Sequence, residues 1–217
     1  MIGSPRYLVT CTPPDLAFSV SYLCRFSYHP LARHHNVVKE VCSYLAATWS
    51  IYPKYKSCAT SVAVSIGAIC YSDYASCCDN RRSVSSYALR LNGCAIFWLS
   101  KKQQSVVSST TETEYMALAT TFGRAVWYPN VFTLLGYKIH ITIMADDTSS
   151  INVTENPINN PGTNYIDVAY HFTREYLIPK AFTLAYVLSN VNTPDLITKR
   201  SNSVFHHEYT QCLKLLE

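Results

Sequence analysis

The amino-acid sequence predicts an α/β fold, a mixed five-stranded sheet that is flanked by helices and preceded by a helical segment. Apolar side chains recur at helical spacing over the first 55 residues, whereas strand-like and helical runs alternate from residue 56 onwards. Three strands, a helix, a strand, helical segments, a strand and a helix follow one another, an order typical of a mixed sheet with helices packed on it. We therefore expect a helical segment at residues 1–55 and a sheet-containing domain at residues 56–217.

The helical segment is predicted from turn signals and apolar spacing. Pro14 and Asp15 suit a first helical turn, since that turn leaves amide groups unbonded and its dipole favours an acidic side chain. A longer helix is predicted from Leu31 to Ala47, where Val38 and Val41 belong to one apolar stripe. We expect both helices to pack on neighbouring elements.

Three strands are predicted next. Residues 61–70 are rich in β-branched side chains and lead into Asp73, and residues 83–91 and 95–99 form two further strand-like runs. Asn92-Gly93 separates the last two runs, and Asn-Gly between strands is a strong signal for a tight hairpin.

The second half of the chain alternates helices and strands. A helix is expected after residue 109, begun by a capping box of either Ser109 with Glu112 or Thr111 with Glu114. The remaining predicted elements are strands at 138–144 and 182–188, a helix at 166–176 and a short helix that begins at Thr193.

Composition narrows the class of protein. A formal charge of +4 is compatible with a polyanionic partner. Nine cysteines, an odd number without a Cys-x-x-Cys pair, favour reduced thiols over a disulfide framework or a zinc site. No signal peptide is apparent, and no apolar run approaches the roughly 20 residues that a membrane helix needs. We expect a cytoplasmic or nuclear protein that is neither secreted nor membrane-bound.

Four carboxylates occupy positions from which they can converge. Asp73 and Asp146 each follow a predicted strand, Glu114 lies on the inner face of a predicted helix, and Asp195 falls in the first turn of another. Oxygen ligands of this kind suit two hard divalent cations, which can activate water and stabilise the leaving oxygen of a phosphodiester. These positions predict a two-metal nuclease site.

Six sequence blocks occur in the order found in one known family. They read YSD at residues 71–73, RRS at 81–83, WLSKKQ at 98–103, TETEYMAL at 111–118, IDVAYHFTRE at 166–175 and DLITK at 195–199. With these blocks the chain resembles the ribonuclease H domain of Copia-type LTR-retrotransposon Pol polyproteins. Residues 4–17 are similar to the segment that joins reverse transcriptase to this domain, and residues 1–55 as a whole resemble the end of the reverse transcriptase region.

The resemblance implies a ribonuclease H-like fold and cleavage of the RNA strand of RNA–DNA hybrids. It assigns the catalytic and metal-binding roles to Asp73, Glu114, Asp146 and Asp195, with two Mg²⁺ ions as cofactors and Mn²⁺ as a substitute. Asp167 is the rival for the fourth position. The implied partners are the RNA–DNA hybrid and the reverse transcriptase portion of the same polyprotein.

Phosphate contacts are expected from three basic residues, Lys101, Lys102 and Arg124. Solvated surface charge is the competing interpretation for each of them.

The chain also departs from the family pattern. The family has a tryptophan after its YSD block, whereas residues 74–78 lack it, and the loop before RRS is two residues shorter. A second hypothesis is therefore a catalytically inactive retroelement remnant that folds and binds nucleic acid without cutting it.

Overall fold

The computed structural model describes residues 2–11, 14–50, 52–53, 55, 64–77, 79–155, 182–188 and 215–216. Six α-helices are present in these ranges, together with a 3-10 turn at Pro14–Leu16. The helices are α1 (Gly3–Cys11), α2 (Ala17–Cys24), α3 (Ala32–Ala47), α4 (Thr110–Ala125), α5 (Trp127–Leu134) and α6 (Thr148–Glu155). The strands are β1 (Tyr52–Pro53), β2 (Ser65–Ser72), β3 (Val84–Leu91), β4 (Cys94–Lys102), β5 (His140–Ala145), β6 (Phe182–Tyr186) and β7 (Leu215–Leu216).

The five longer strands form the predicted mixed five-stranded sheet, and their order within it is β4-β3-β2-β5-β6. Strands β2, β3 and β4 are antiparallel neighbours, whereas β5 runs parallel to both β2 and β6. The two short strands β1 and β7 pair separately and antiparallel. Because β2 and β5 are adjacent and parallel, their carboxyl ends meet at the same edge of the sheet.

The hairpin between β3 and β4 has the predicted turn. Asn92 and Gly93 both have positive φ angles, 49° and 85°, as a tight two-residue hairpin turn requires. The Asn92 side chain also accepts a hydrogen bond of 3.0 Å from the Ser65 amide, so it ties the turn to the start of β2.

Helices cover both faces of the sheet. Neighbouring residues of a strand point to opposite faces, so β3 and β4 contribute apolar side chains to both layers of helices. Tyr87 and Leu89 of β3 face an apolar cluster that contains the buried side of α4. Ala88, between them, belongs to a second cluster on the opposite face, which is formed with α1, α2 and α3. Trp98 of β4 joins that second cluster, and its indole N–H donates to the Val9 carbonyl at 2.7 Å.

Some boundaries differ from the sequence prediction. Strand β2 extends to Ser72, and β4 reaches Lys102 because it remains paired with Val84 of β3. Helix α5 was not predicted, and it contains Pro129. That proline lies in the first turn, where its missing N–H costs no hydrogen bond. The helices expected at 166–176 and from Thr193 lie outside the described residues.

Candidate active site

Two of the four predicted carboxylates follow neighbouring strands at the same edge of the sheet. Asp73 comes directly after β2, and Asp146 comes directly after β5. The strands are in parallel register, with Ile69 opposite Met144. Asp73 is buried, its side chain accepts a hydrogen bond from the Val84 amide, and its own amide donates to the Val84 carbonyl. Its carboxylate is therefore fixed against the start of β3.

Glu114 reaches this edge from α4. It is buried, and its Oε1 accepts a hydrogen bond of 2.9 Å from the amide of Ser72, the residue before Asp73. A capping role for Glu114 is excluded, because Ser109 is the cap of α4 and its hydroxyl accepts from the Glu112 amide. Glu112 in turn accepts hydrogen bonds from the amide and hydroxyl of Ser108. The two glutamates thus have separate tasks.

Asp146 and its neighbour Asp147 also differ in role. The Asp147 carboxylate accepts from the amides of Ser149 and Ser150, at 3.1 and 2.9 Å, and so caps the first turn of α6. Asp146 is half-buried at the end of β5. Of the two, Asp146 is therefore the one placed to act at the sheet edge.

A buried thiol, Cys70, lies within electrostatic range of both Glu114 and Asp146. Burial raises the pKa of Cys70 well above its usual range, and the negative charges of Glu114 and Asp146 raise that pKa further. Cys70 lies on β2, and its Sγ is 3.5 Å from the Met144 carbonyl oxygen of β5. The two carboxylates therefore act on one point between β2, β5 and α4.

The fourth predicted carboxylate, Asp195, and its rival Asp167 lie outside the described residues. Within the described ranges, no three His, Cys, Asp or Glu side chains form a group able to hold a metal ion. The assignment of Asp73, Glu114, Asp146 and Asp195 as metal ligands thus stays a prediction. The chemistry of the donors fits it, because carboxylate oxygens are the ligands that Mg²⁺ prefers.

The three predicted phosphate-binding residues lie on or beside one cleft. Lys101 is exposed and Lys102 half-buried at the end of β4, where Lys102 Nζ is 4.0 Å from Cys77 Sγ. Both lysines line a cleft of about 170 Å³ between the sheet and α4. Arg124 is exposed on α4, and its guanidinium lies 5.8 Å from the centre of the Phe97 ring. Their contact with nucleic acid remains a prediction.

Tyr87 lies in the wall of this cleft, where its ionisation opposes folding at alkaline pH. Burial raises the pKa of Tyr87 to about 12, although the nearby Arg124 guanidinium acts in the opposite direction. A raised pKa means that the folded state holds the phenol proton more tightly than the unfolded state does. The stability that the neutral Tyr87 side chain contributes is therefore complete below pH 10 and is lost as the pH rises towards 12. We expect Tyr87→Phe to remove about 1 kcal/mol of the decrease in unfolding free energy between pH 9 and pH 11. Urea unfolding at both pH values measures it.

The control for this prediction is Tyr7→Phe, which alters a tyrosine that is 72% exposed. It should leave the difference between the two pH values as in the unaltered protein. An equal pH effect in Tyr87→Phe and the unaltered protein would contradict the prediction.

One residue of this region was not singled out by sequence reasoning. Gln103 is buried at the end of β4, and its side-chain amide contacts residues beside both Asp73 and Glu114. The only sequence signal was its place in the WLSKKQ block, where an amide directly follows a strand.

Solved structures resemble the whole of this architecture. The foamy viral protease-reverse transcriptase dRH in complex with double-stranded DNA aligns over 86% of this chain and 31% of its own, with a TM-score of 0.55 and 10% identity. The foamy viral protease-reverse transcriptase in complex with an RNA/DNA hybrid aligns over 93% of this chain and 26% of its own, with a TM-score of 0.51 and 13% identity. The sheet order and flanking helices define the chain as a protein with the ribonuclease H-like fold.

Sequence relatives specify the family. A retrovirus-related Pol polyprotein from transposon TNT 1-94 of Nicotiana tabacum is 31% identical over 199 residues, which are 91% of this chain and 15% of the relative. The Pol polyprotein from transposon RE2 of Arabidopsis thaliana is 28% identical over 221 residues, which are all of this chain and 15% of the relative. The chain belongs to the retrovirus-related Pol polyproteins of Copia-type transposons and spans about 15% of the length of these relatives.

Two further comparisons and the length of the helices complete this description. The secreted RxLR effector protein 161 of Plasmopara viticola is 37% identical over 126 residues, which are 58% of this chain and 87% of that protein. No protein-family model matches the chain. Among the helices that the structure describes, none is long and apolar enough to span a bilayer.

Proposed function

We propose that this chain is the ribonuclease H segment of a retrotransposon Pol polyprotein and cleaves the RNA strand of RNA–DNA hybrids. One observation carries the proposal: two acidic residues follow adjacent parallel strands, and a buried glutamate of the covering helix accepts a hydrogen bond from the residue before one of them. The charges of Glu114 and Asp146 both act on Cys70, which supports their convergence. The solved relative that binds an RNA/DNA hybrid supports the choice of substrate class.

Asp73, Glu114, Asp146 and Asp195 are the residues that would hold two Mg²⁺ ions, or Mn²⁺ in their place. When bound, such a pair supplies an activated water and charge stabilisation at the leaving oxygen. The protein contributes the fixed geometry. The bond from the Ser72 amide orients Glu114, and the bond from the Val84 amide orients Asp73.

The hybrid would lie along the cleft between β4 and α4. Lys101 and Lys102 at one end and Arg124 on α4 present positive charge for its phosphates. Selection of the RNA strand would depend on contacts to the 2′-hydroxyl groups. The reverse transcriptase portion of the same polyprotein is the proposed protein partner, and the cytoplasm or nucleus the proposed site of action.

A cleavage assay on a labelled RNA–DNA hybrid with Mg²⁺ tests this function, with Asp146→Asn and Asp147→Asn as a matched pair. Asp146→Asn should lower the cleavage rate by at least about 10²-fold, because it removes a charge that stabilises the metal site. Asp147→Asn should retain the rate, since asparagine also caps a helix well. Equal rates in the two variants would overturn the assignment of Asp146.

The second candidate function is binding of nucleic acid without cleavage. The departures from the family pattern in the loop before β3 favour it, since residues 74–78 lack the family's tryptophan and the loop is two residues shorter. Binding of the hybrid without Mg²⁺-dependent cutting, in the unaltered chain and in Asp146→Asn alike, would select this alternative.

A further inference from the structure

Gln103 connects the two chain segments that carry the central acids. It is 9% exposed, and its side-chain Nε2 lies 2.7 Å from Ser85 Oγ, 3.1 Å from the Thr113 carbonyl oxygen and 3.3 Å from Ser72 Oγ. Ser72 directly precedes Asp73, and Thr113 directly precedes Glu114. One amide group therefore joins the residues that stand immediately before both carboxylates.

The backbone of Gln103 is also hydrogen-bonded. Its own amide donates to the Ser83 carbonyl at 2.8 Å, so the end of β4 remains attached to the start of β3. Its side-chain amide then bridges β2, β3 and the first turn of α4. The Ser72 amide completes the connection, since it donates to Glu114 Oε1.

We propose that Gln103 is a positioning residue that sets the separation between Asp73 and Glu114. This inference deepens the proposed nuclease function and rests on it. Residues that do not bind the metal themselves, but orient the carboxylates that do, contribute strongly to metal affinity and activity. Gln103 suits this role because its amide can donate to a hydroxyl and to a carbonyl at once, which no apolar side chain of its size can do.

The test compares Gln103→Met with Gln104→Met. Methionine has a similar length and removes both donors, and Gln104 is the exposed neighbour in the chain. In Gln103→Met, we expect the Mg²⁺ concentration for half-maximal cleavage to rise about 10-fold and kcat to fall about 10-fold, with KM for the hybrid changed less than about 2-fold. Gln104→Met should leave kcat and the Mg²⁺ requirement as in the unaltered protein, and the comparison uses these two quantities because Gln104 lines the cleft proposed to bind the hybrid. A loss that appears only as lower thermal stability, with kcat and the Mg²⁺ requirement unchanged, would overturn the proposal.

A second measurement is independent of cleavage. Because the bridge holds Ser72 against Glu114, Gln103→Met should increase hydrogen exchange at the Ser72 amide by about 10-fold or more relative to amides in the centre of β3. Exchange at Ser72 that changes no more than exchange elsewhere would reject the positioning role. Failure of the unaltered chain to cleave any hybrid would instead reject the proposed function, so the two failures are distinguishable.

Ser85→Ala provides a second variant should Gln103→Met fold poorly. It removes the shortest of the three contacts and leaves the glutamine in place. A smaller shift in the same direction, both in the Mg²⁺ requirement and in exchange at Ser72, is expected. No shift in either measurement would count against the bridge.

Discussion

Replacing Glu114 with glutamine should abolish most of the proposed hybrid cleavage, by about 10³-fold or more, while the protein stays folded. Glutamine keeps the shape of the side chain and an oxygen that accepts from the Ser72 amide, so the local structure survives. It removes a buried negative charge, and loss of several kcal/mol of charge stabilisation at a metal site corresponds to a rate effect of this size. Single-turnover cleavage of an RNA–DNA hybrid, alongside thermal unfolding, measures both quantities.

Glu112→Gln is the matched control for Glu114→Gln. Glu112 lies two residues earlier on the same helix, but its carboxylate accepts from Ser108 at the helix start. We expect cleavage to remain within about 2-fold of the unaltered protein and stability to fall by less than about 1 kcal/mol. Similar losses of cleavage in the two variants would contradict a special role for Glu114.

Leu118→Ala should lower the free energy of unfolding by about 2–5 kcal/mol. Leu118 is fully buried on α4, in the apolar cluster that also contains Ile66, Ile141 and Ile143 of the central strands. Removing its side chain loses burial and leaves a cavity at the contact between α4 and the sheet. Since α4 also carries Glu114, this contact helps to hold Glu114 at the end of β2, where the candidate site lies. Urea unfolding followed by circular dichroism gives the free energy.

Leu134→Ala makes the same chemical change on α5, where the side chain is 88% exposed. Its effect should stay within about 0.5 kcal/mol. If the two variants lost similar stability, the packing of α4 on the sheet would not be the main source of stability in this half of the protein.

Local sequence was sufficient for much of the fold. The β-branched run before Asp73, the Asn92-Gly93 turn and the capping signal at Ser109 each encode their own geometry, and the structure has a strand, a hairpin and a helix there. The fold class, a mixed sheet with helices packed on it, followed from the succession of these elements along the chain, whereas the order of the strands within the sheet did not. Helix α5 could not be anticipated in this way, because the position of Pro129 relative to the helix start decides whether it is tolerated.

The candidate site was only partly accessible to the same reasoning. Strand ends indicated Asp73 and Asp146, and the family resemblance favoured Glu114 over Glu112. The capping pattern separated the two glutamates only once the structure showed that Ser109, and not Thr111, caps α4. The bond between Asp73 and Val84, and the bridge made by Gln103, join residues that are 10 to 31 positions apart in the sequence. Contacts of this range depend on how the strands pair, and no local pattern records them.

The hydrogen bond from the Trp98 indole to the Val9 carbonyl has a practical consequence for the choice of a minimal fragment of this chain. The partner Val9 lies upstream of residue 55, and so do the helices α1, α2 and α3, which cover the apolar residues of β3 and β4 on that face of the sheet. A recombinant fragment that begins at residue 56 would expose this apolar face of the sheet to water and would aggregate. The smallest fragment worth expressing therefore includes the helices α1, α2 and α3.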